Sequence, residues 1–371
     1  MRYVDEFRVP AAARELLREI DSLGGTGKFM EVCGTHTMAI SRAGLRPLLE
    51  PGIDLISGPG CPVCVTADTD IDRAIAVAGQ PGVIMTTFGD MMKVPGTEDS
   101  LASASAKGAR VRVVYSPLES LEIATAEPDS RVVFLGIGFE TTAPAVAGTV
   151  LEARRRGIEN FHVLSFHKLV PPALRALVAL DDFEVDGFIL PGHVSVIIGS
   201  DAYRFLPEEF SMPCVVTGFE VTDILQAILR LLRMQSTGAA LEDEYSRAVR
   251  PKGNPRALEV MARVFEPCDA VWRGLFTIPG SGLAIRPEFA SMDAGSWEVE
   301  LPEPSGSKGC RRGEILCGRI KPMECPFFGR RCTPDTPVGP CMVSSEGTCA
   351  SYYLYCEGEE PGARGEGSDL G

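Results

Sequence analysis

The chain has 371 residues, of which 45% are hydrophobic and 23% charged. That composition is normal for a soluble globular protein, and the length exceeds one ordinary core, so two or three domains are expected. The formal net charge of −14 disfavours nucleic acid and anionic membrane as main partners, because phosphate recognition needs a basic face.

The opening stretch, MRYVDEFRVPAAARELL, mixes acids and bases early. It reads as an amphipathic helix over residues 9–23, stopping at Gly24-Gly25, and not as a signal peptide. No apolar run approaches the roughly 18 residues of a membrane span. A cytoplasmic location is therefore expected, where structural disulfides are rare.

From Lys28 short apolar runs end in glycine-bearing turns. FMEVCG, IDLISGPG and VIMTTFG are strand-like. ADTDIDRAIAVAG has acids in its first turn and a closing glycine, as helices do. Strand, loop and helix in repetition predict a parallel sheet covered by helices. A second such unit begins near Arg131 with VVFLGIGFETT and continues through FHVLSFHK, DGFILPGHVS and MPCVVTGFE. The triplet Gly-Phe-Glu occurs at Gly138 and again at Gly218, each time after a strand and before a helix. Beyond Met234 the pattern loosens. Residues 303–350 are rich in Gly, Pro and Cys and poor in periodicity, so they need something other than an apolar core to hold them. The expected organisation is an N-terminal helical segment over 1–27 packing on the C-terminal domain, α/β domains over 28–128 and 129–234, a C-terminal domain over 235–356, and a disordered tail over 357–371.

Twelve cysteines are the main anomaly, seven of them between Cys310 and Cys356. In a reducing compartment such enrichment points to metal binding or thiol chemistry. Cys33-Gly34-Thr35-His36 stands at the end of a predicted strand, where ligands of open parallel sheets gather. A helix N-terminus and a histidine both favour a reactive thiolate there. Cys61-Pro62-Val63-Cys64 pairs two thiols across a turn stiffened by proline. Disulfide, metal or both in turn remain open for it. With Cys33 it gives three soft donors, better suited to iron or copper than to magnesium or calcium. Cys325, Cys332, Cys341 and Cys349 fit an iron–sulfur cluster or zinc about equally. Cys310, Cys317 and Cys356 flank them as incidental or auxiliary thiols.

Polar groups close the other predicted strands: Asp90, Glu140, His167-Lys168, and His193 with Ser195. Glu140 either caps the helix that follows it or serves as an acid, base or ligand-shell group in the cleft. The second triplet, Gly218-Phe219-Glu220, reads as structural. There is no P-loop and no GxSxG, and Gly136-x-Gly138 lacks the third glycine of a dinucleotide fingerprint, so nucleotide chemistry is not favoured.

CGTH at 33–36, GPGCPVC at 58–64, TFGDMMKVPG at 87–96, GFETT at 138–142 and PGHVS at 191–195 occur in that order. CPFFGRRCTPDTPVGPCMVSSEGTCASYY at 325–353 completes the series. Together they closely resemble the HypD family of [NiFe]-hydrogenase maturation proteins, over nearly the whole chain. The resemblance implies an α/β fold of two similar parallel-sheet domains plus an irregular C-terminal domain holding a [4Fe-4S] cluster. It implies a scaffold that works with a HypC-type chaperone. There an iron ion acquires two cyanides and a carbon monoxide, the cyanide coming from a HypE-type partner, and the product passes to the hydrogenase large subunit. It further implies that Cys33 is the main iron-holding thiolate, with His36 beside it. Cys61 and Cys64 would be a redox-active dithiol that assists at the iron, and Cys325, Cys332, Cys341 and Cys349 the cluster ligands. Glu140 and His193 are the further candidates for catalytic roles. Two features depart from the pattern: Cys317 replaces an expected charged residue, and the acidic tail is additional. The alternative function is a stand-alone iron–sulfur thiol–disulfide oxidoreductase.

Overall fold

A computed structural model describes residues 10–303 and 309–355; Cys356 and the tail expected at 357–371 lie outside them. Among the described residues eleven strands form three sheets. They are β1 Gly27–Glu31, β2 Ile53–Ser57, β3 Val83–Thr87, β4 Arg110–Val113, β5 Arg131–Gly136, β6 Phe161–Ser165, β7 Gly187–Pro191, β8 Cys214–Thr217, β9 Leu241–Asp243, β10 Phe265–Val271 and β11 Thr277–Ile285. One parallel sheet has the order β2-β1-β7-β8-β9 and the other β4-β3-β5-β6, while β10 and β11 make an antiparallel hairpin. The inner strands are short and wholly buried, such as the mostly apolar Val83–Thr87 and the apolar Gly187–Pro191, as a sheet covered on both faces requires.

The α/β class and the two parallel sheets agree with the sequence pattern, but sheet membership does not follow the expected 28–128 and 129–234 division. β3 and β4 leave the first segment to join β5 and β6, and β7 and β8 return to pair beside β1. Hydrophobic period identifies strands but not which neighbour each one takes. The expected 235–356 unit is divided as well. β9 extends the first sheet, and Phe265, Leu283 and Ile285 of the hairpin share a core with Phe134 and Phe161 of the second.

Helix Pro10–Leu23 forms as expected, but among the described residues it packs chiefly on helix Val221–Thr237 rather than on the C-terminal segment. Its Leu16, Leu17 and Ile20 meet the apolar face carrying Leu225, Ile228 and Leu232. Residues 309–355 contain only short helices and turns among the described residues. Their last helix, Thr348–Tyr355, lies against helix Gly34–Arg42, and the Arg46 guanidinium sits 4.3 Å from the centre of the Tyr352 ring. The cysteine-rich segment is thereby docked beside the carboxyl ends of β1 and β2.

Candidate thiol centre

β1 lies between β2 and β7, parallel to both. The loops that follow β1, β2, β7 and β8 therefore open on one sheet edge. Cys33 follows β1 and caps helix Gly34–Arg42. The loop after β2 packs onto it backbone to backbone: Gly34 N–H donates to Gly60 O at 3.0 Å, and a Cβ on Gly60 would fall 2.0 Å from the Cys33 nitrogen. Only glycine allows that approach.

Helix Gly192–Ile198, directly after β7, brings His193 in its first turn, with ring nitrogens 3.8 and 3.9 Å from Cys33 Sγ. Helix Gly34–Arg42 contributes through its main chain, with the N–H groups of His36 and Thr35 turned to the sulfur. Those donors favour a thiolate, but burial outweighs them and holds the Cys33 thiol up at about 12, with nearby Glu31 adding to the rise. The same burial pushes His193 down to about 4. The expected ready thiolate is thus a protonated thiol beside a neutral imidazole. A metal ion displaces such a proton on binding.

The imidazole of His36 faces elsewhere. It donates from Nε2 to the carbonyl of Gly218 at 2.8 Å, and Nδ1 is buried without a hydrogen-bond partner. Burial lowers it to about 4. Glu31, which sequence reasoning passed over, is fully buried two residues before Cys33. It accepts from Thr37 Oγ1 at 2.7 Å, and Arg46 lies 3.7 Å away. Burial still raises it to about 7. Glu346, also missed, accepts from Thr35 Oγ1 at 2.8 Å and joins the C-terminal segment to this edge. Neither acid carries a spacing signal, since each sits singly in an otherwise ordinary run.

Cys61 caps the short helix Pro62–Val65, with proline at its first turn. Cys61, Cys64 and Cys341 are buried in one shared cluster, and Cys349 packs against it. The neighbouring thiols of Cys349 and Cys64, with the charges of Arg312 and Arg273, hold Cys341 well below the ordinary thiol range. A run of thiols thus leads from the Cys-x-x-Cys turn into the C-terminal segment. There one pocket is lined by Cys310, Cys325, Cys332, Cys341 and Cys349, walled by Phe327, Phe328 and Met342. As they stand, no three His, Cys, Asp or Glu side chains among the described residues converge closely enough to hold a metal ion, and that applies equally to Cys33, Cys61 and Cys64. The donor set itself, several thiols on apolar walls, fits a cluster held by four thiolates. Cys310 belongs to this pocket, which its spacing did not reveal. Cys317 does not: it is buried with Ile56, Val65 and Leu316.

The remaining predicted groups tie segments together. Asp90 accepts from Ser344 Oγ at 3.1 Å. Glu140 Oε1 accepts from Val170 N–H at 2.9 Å, so it caps helix Val170–Val178 and not the helix that follows it. Its Oε2 is buried without a partner, and burial raises the carboxyl to about 7. Ser195 Oγ donates to Pro191 O. Buried Lys168 reaches Asp70 at 3.4 Å, and His167 beside it is pushed down to about 3 by burial. Glu220 caps helix Val221–Thr237 in a reciprocal pair with Asp223, a structural role as expected.

The fold and this edge define an α/β protein with two parallel sheets, a buried Cys–His pair and a separate thiol run ending in a cysteine-lined pocket. Comparison with known proteins is specific: the HypD family, described as "Hydrogenase formation hypA family", matches residues 11–356. The chain belongs to that family. It is 46% identical over 370 residues to the hydrogenase maturation factor HypD of Rhodobacter capsulatus, covering 96% of this chain and 98% of that protein. The protein of the same name from Azotobacter vinelandii is 45% identical over 367 residues (96% and 97%). That of Escherichia coli K12 is 42% identical over 372 residues (97% and 99%). No helix among the described residues is long and apolar enough to cross a membrane.

Proposed function

We propose that this chain is a hydrogenase maturation factor that serves as the scaffold on which the Fe(CN)2CO unit of the [NiFe] site is assembled. The observation that carries the proposal is the juxtaposition of Cys33 and His193 at an edge whose neighbouring loop starts the packed thiol run Cys61–Cys64–Cys341–Cys349. Iron is the cargo. Cys33 exchanges its thiol proton for the metal, and the dithiol of Cys61 and Cys64 assists from the next loop. Low-spin iron carrying cyanide and CO favours such soft donors. Cys325, Cys332, Cys341 and Cys349 would hold a [4Fe-4S] cluster, which supplies one-electron reducing power when bound. Cys64, in contact with Cys341, is the sulfur through which the dithiol meets that pocket. His36 and His193 orient the edge, and Glu140, poised near neutrality, holds a proton in the interior. A HypC-type chaperone, a HypE-type cyanide donor and, indirectly, the hydrogenase large subunit are the partners, in the cytoplasm.

The Cys64–Cys341 contact also favours a second reading, a self-contained thiol–disulfide oxidoreductase acting on a protein substrate. That activity needs no Cys33. Metal and sulfide analysis of anaerobically purified protein tests the shared part: about four irons with matching sulfide support the cluster, and stoichiometric zinc removes it. Disulfide reductase turnover that is unaffected by Cys33→Ala, in protein that never carries cyanide or CO, would favour the second reading.

A further inference from the structure

The second Gly-Phe-Glu triplet holds more than a helix cap. The Phe219 ring contacts both histidines of the edge. Its centre is 4.7 Å from that of His36 and 5.1 Å from that of His193, with interplanar angles of 31° and 24°. The preceding carbonyl, Gly218 O, is the acceptor that fixes His36 Nε2. Tyr245 braces the ring edge-on at 6.2 Å. The loop is itself pinned from behind: Thr217 Oγ1 donates to Glu244 Oε2 at 2.9 Å, and a Cβ on Gly218 would fall 2.1 Å from Asp223 Oδ2. The helix that carries His193 packs just as tightly, since a Cβ on Gly192 would fall 2.4 Å from Thr217 O.

From this geometry we propose that Phe219 is a positioning residue for the Cys33 site: one ring, fixed by the Thr217–Gly218 turn, stacks on His193, leans tilted against His36, and holds the His193 imidazole over the Cys33 sulfur. Stacked faces restrict an imidazole to one plane, and groups behind a metal-binding side chain set its orientation. His193 has no other ring contact that would do so among the described residues. Cys33 is only 2% exposed, and the imidazole beside it is part of that cover. The proposal deepens the reading of Cys33 as the iron-holding thiolate. It rests on that reading for its purpose, but its geometry stands on ring distances alone.

The test is the alkylation rate of Cys33 by iodoacetamide at one fixed pH, in anaerobically purified full-length protein, read by peptide mass spectrometry with Cys61 as internal reference. In Phe219→Leu, which keeps apolar bulk but loses the ring faces, His193 is released and Cys33 reacts about fivefold faster or more. Cys61 changes less than twofold, and Phe219→Tyr behaves as the native protein. A smaller rise at Cys33, an equal rise at Cys61, or a Tyr variant that reacts like the Leu variant overturns the proposal. Should Phe219→Leu fail to fold, nuclear Overhauser contacts in the native protein, labelled at histidine and phenylalanine rings, decide: contacts from Phe219 to both imidazoles support it, and their absence from either refutes it. Neither readout needs cyanide, CO or a partner, so a negative result here leaves the scaffold reading to its own infrared test.

Discussion

Cys33 Sγ lies 3.8 Å from Nε2 of His193, a residue 160 positions away in the chain. The parallel pairing of β1 with β7 brings them together: Phe29 is opposite Gly187 and Glu31 opposite Ile189, so both loops leave the same sheet edge.

Gly60 is where two strand-end loops touch through their backbones. Gly60→Ala forces a methyl group to within 2.0 Å of the Cys33 nitrogen, so one loop must move. The expected cost is about 1–3 kcal/mol, with Cys33 shifted from His193. Urea denaturation measures the first and Cys33 alkylation the second. Native stability and reactivity in this variant would contradict the packing.

Glu140 sets a pH dependence. Burial raises its carboxyl from 4.5 to about 7, opposed in part by main-chain N–H groups. A carboxyl raised in the folded state contributes stability that is full below about 4.5 and lost as pH rises to about 7. Glu140→Gln removes that titration. The native protein should therefore lose up to about 3 kcal/mol relative to the Gln variant between those pH values. Histidines lowered by burial work in the opposite direction, but equally in both proteins. A difference in denaturation midpoint that stays constant with pH would contradict the account.

Asp68 is shared by two guanidiniums, Arg273 at 3.1 Å and Arg312 at 2.6 Å. Arg273 also donates to the Thr66 carbonyl beside the Cys-x-x-Cys turn. Asp68→Ala leaves the buried Arg273 charge without its counterion and should cost about 3 kcal/mol. A loss below about 1 kcal/mol would show the pair to be replaceable by the surrounding carbonyls.

The cysteines divide by location. Alanine at Cys325, Cys332, Cys341 or Cys349 should lower iron and sulfide together in anaerobically purified protein. Cys317→Ala should leave both unchanged and cost about 1–2 kcal/mol through the small cavity in its core. Cys310→Ala should also retain the cluster. Iron lost from Cys310→Ala but kept in one of the four would reassign that ligand.

Much of this architecture was legible in the chain, and the gaps have physical causes. Buried strands read as short apolar runs closed by glycine, and the residues after them, Cys33, Cys61 and His193, were singled out for that reason. Pairing between distant strands leaves no local trace, so the return of β7 to the side of β1 went unseen, as did the exchange of β3 and β4. Side-chain direction was equally hidden. His36 follows Cys33 by three residues, yet its imidazole turns to Gly218 and only its N–H serves the sulfur. Burial reversed the expected sign at Cys33, because helix and histidine effects on a thiol presume some access to solvent. Glu31 sits in the apolar run FMEV, where a single acid looks like a surface residue until the sheet is covered on both faces.

The central claim is that Cys33 holds the iron while its ligands are installed. Infrared spectra of protein purified anaerobically with its maturation partners test it most directly. The account predicts cyanide and carbon monoxide stretches in the native protein and their loss in Cys33→Ala, with cluster iron and sulfide unchanged. The same stretches at full intensity in Cys33→Ala would contradict it.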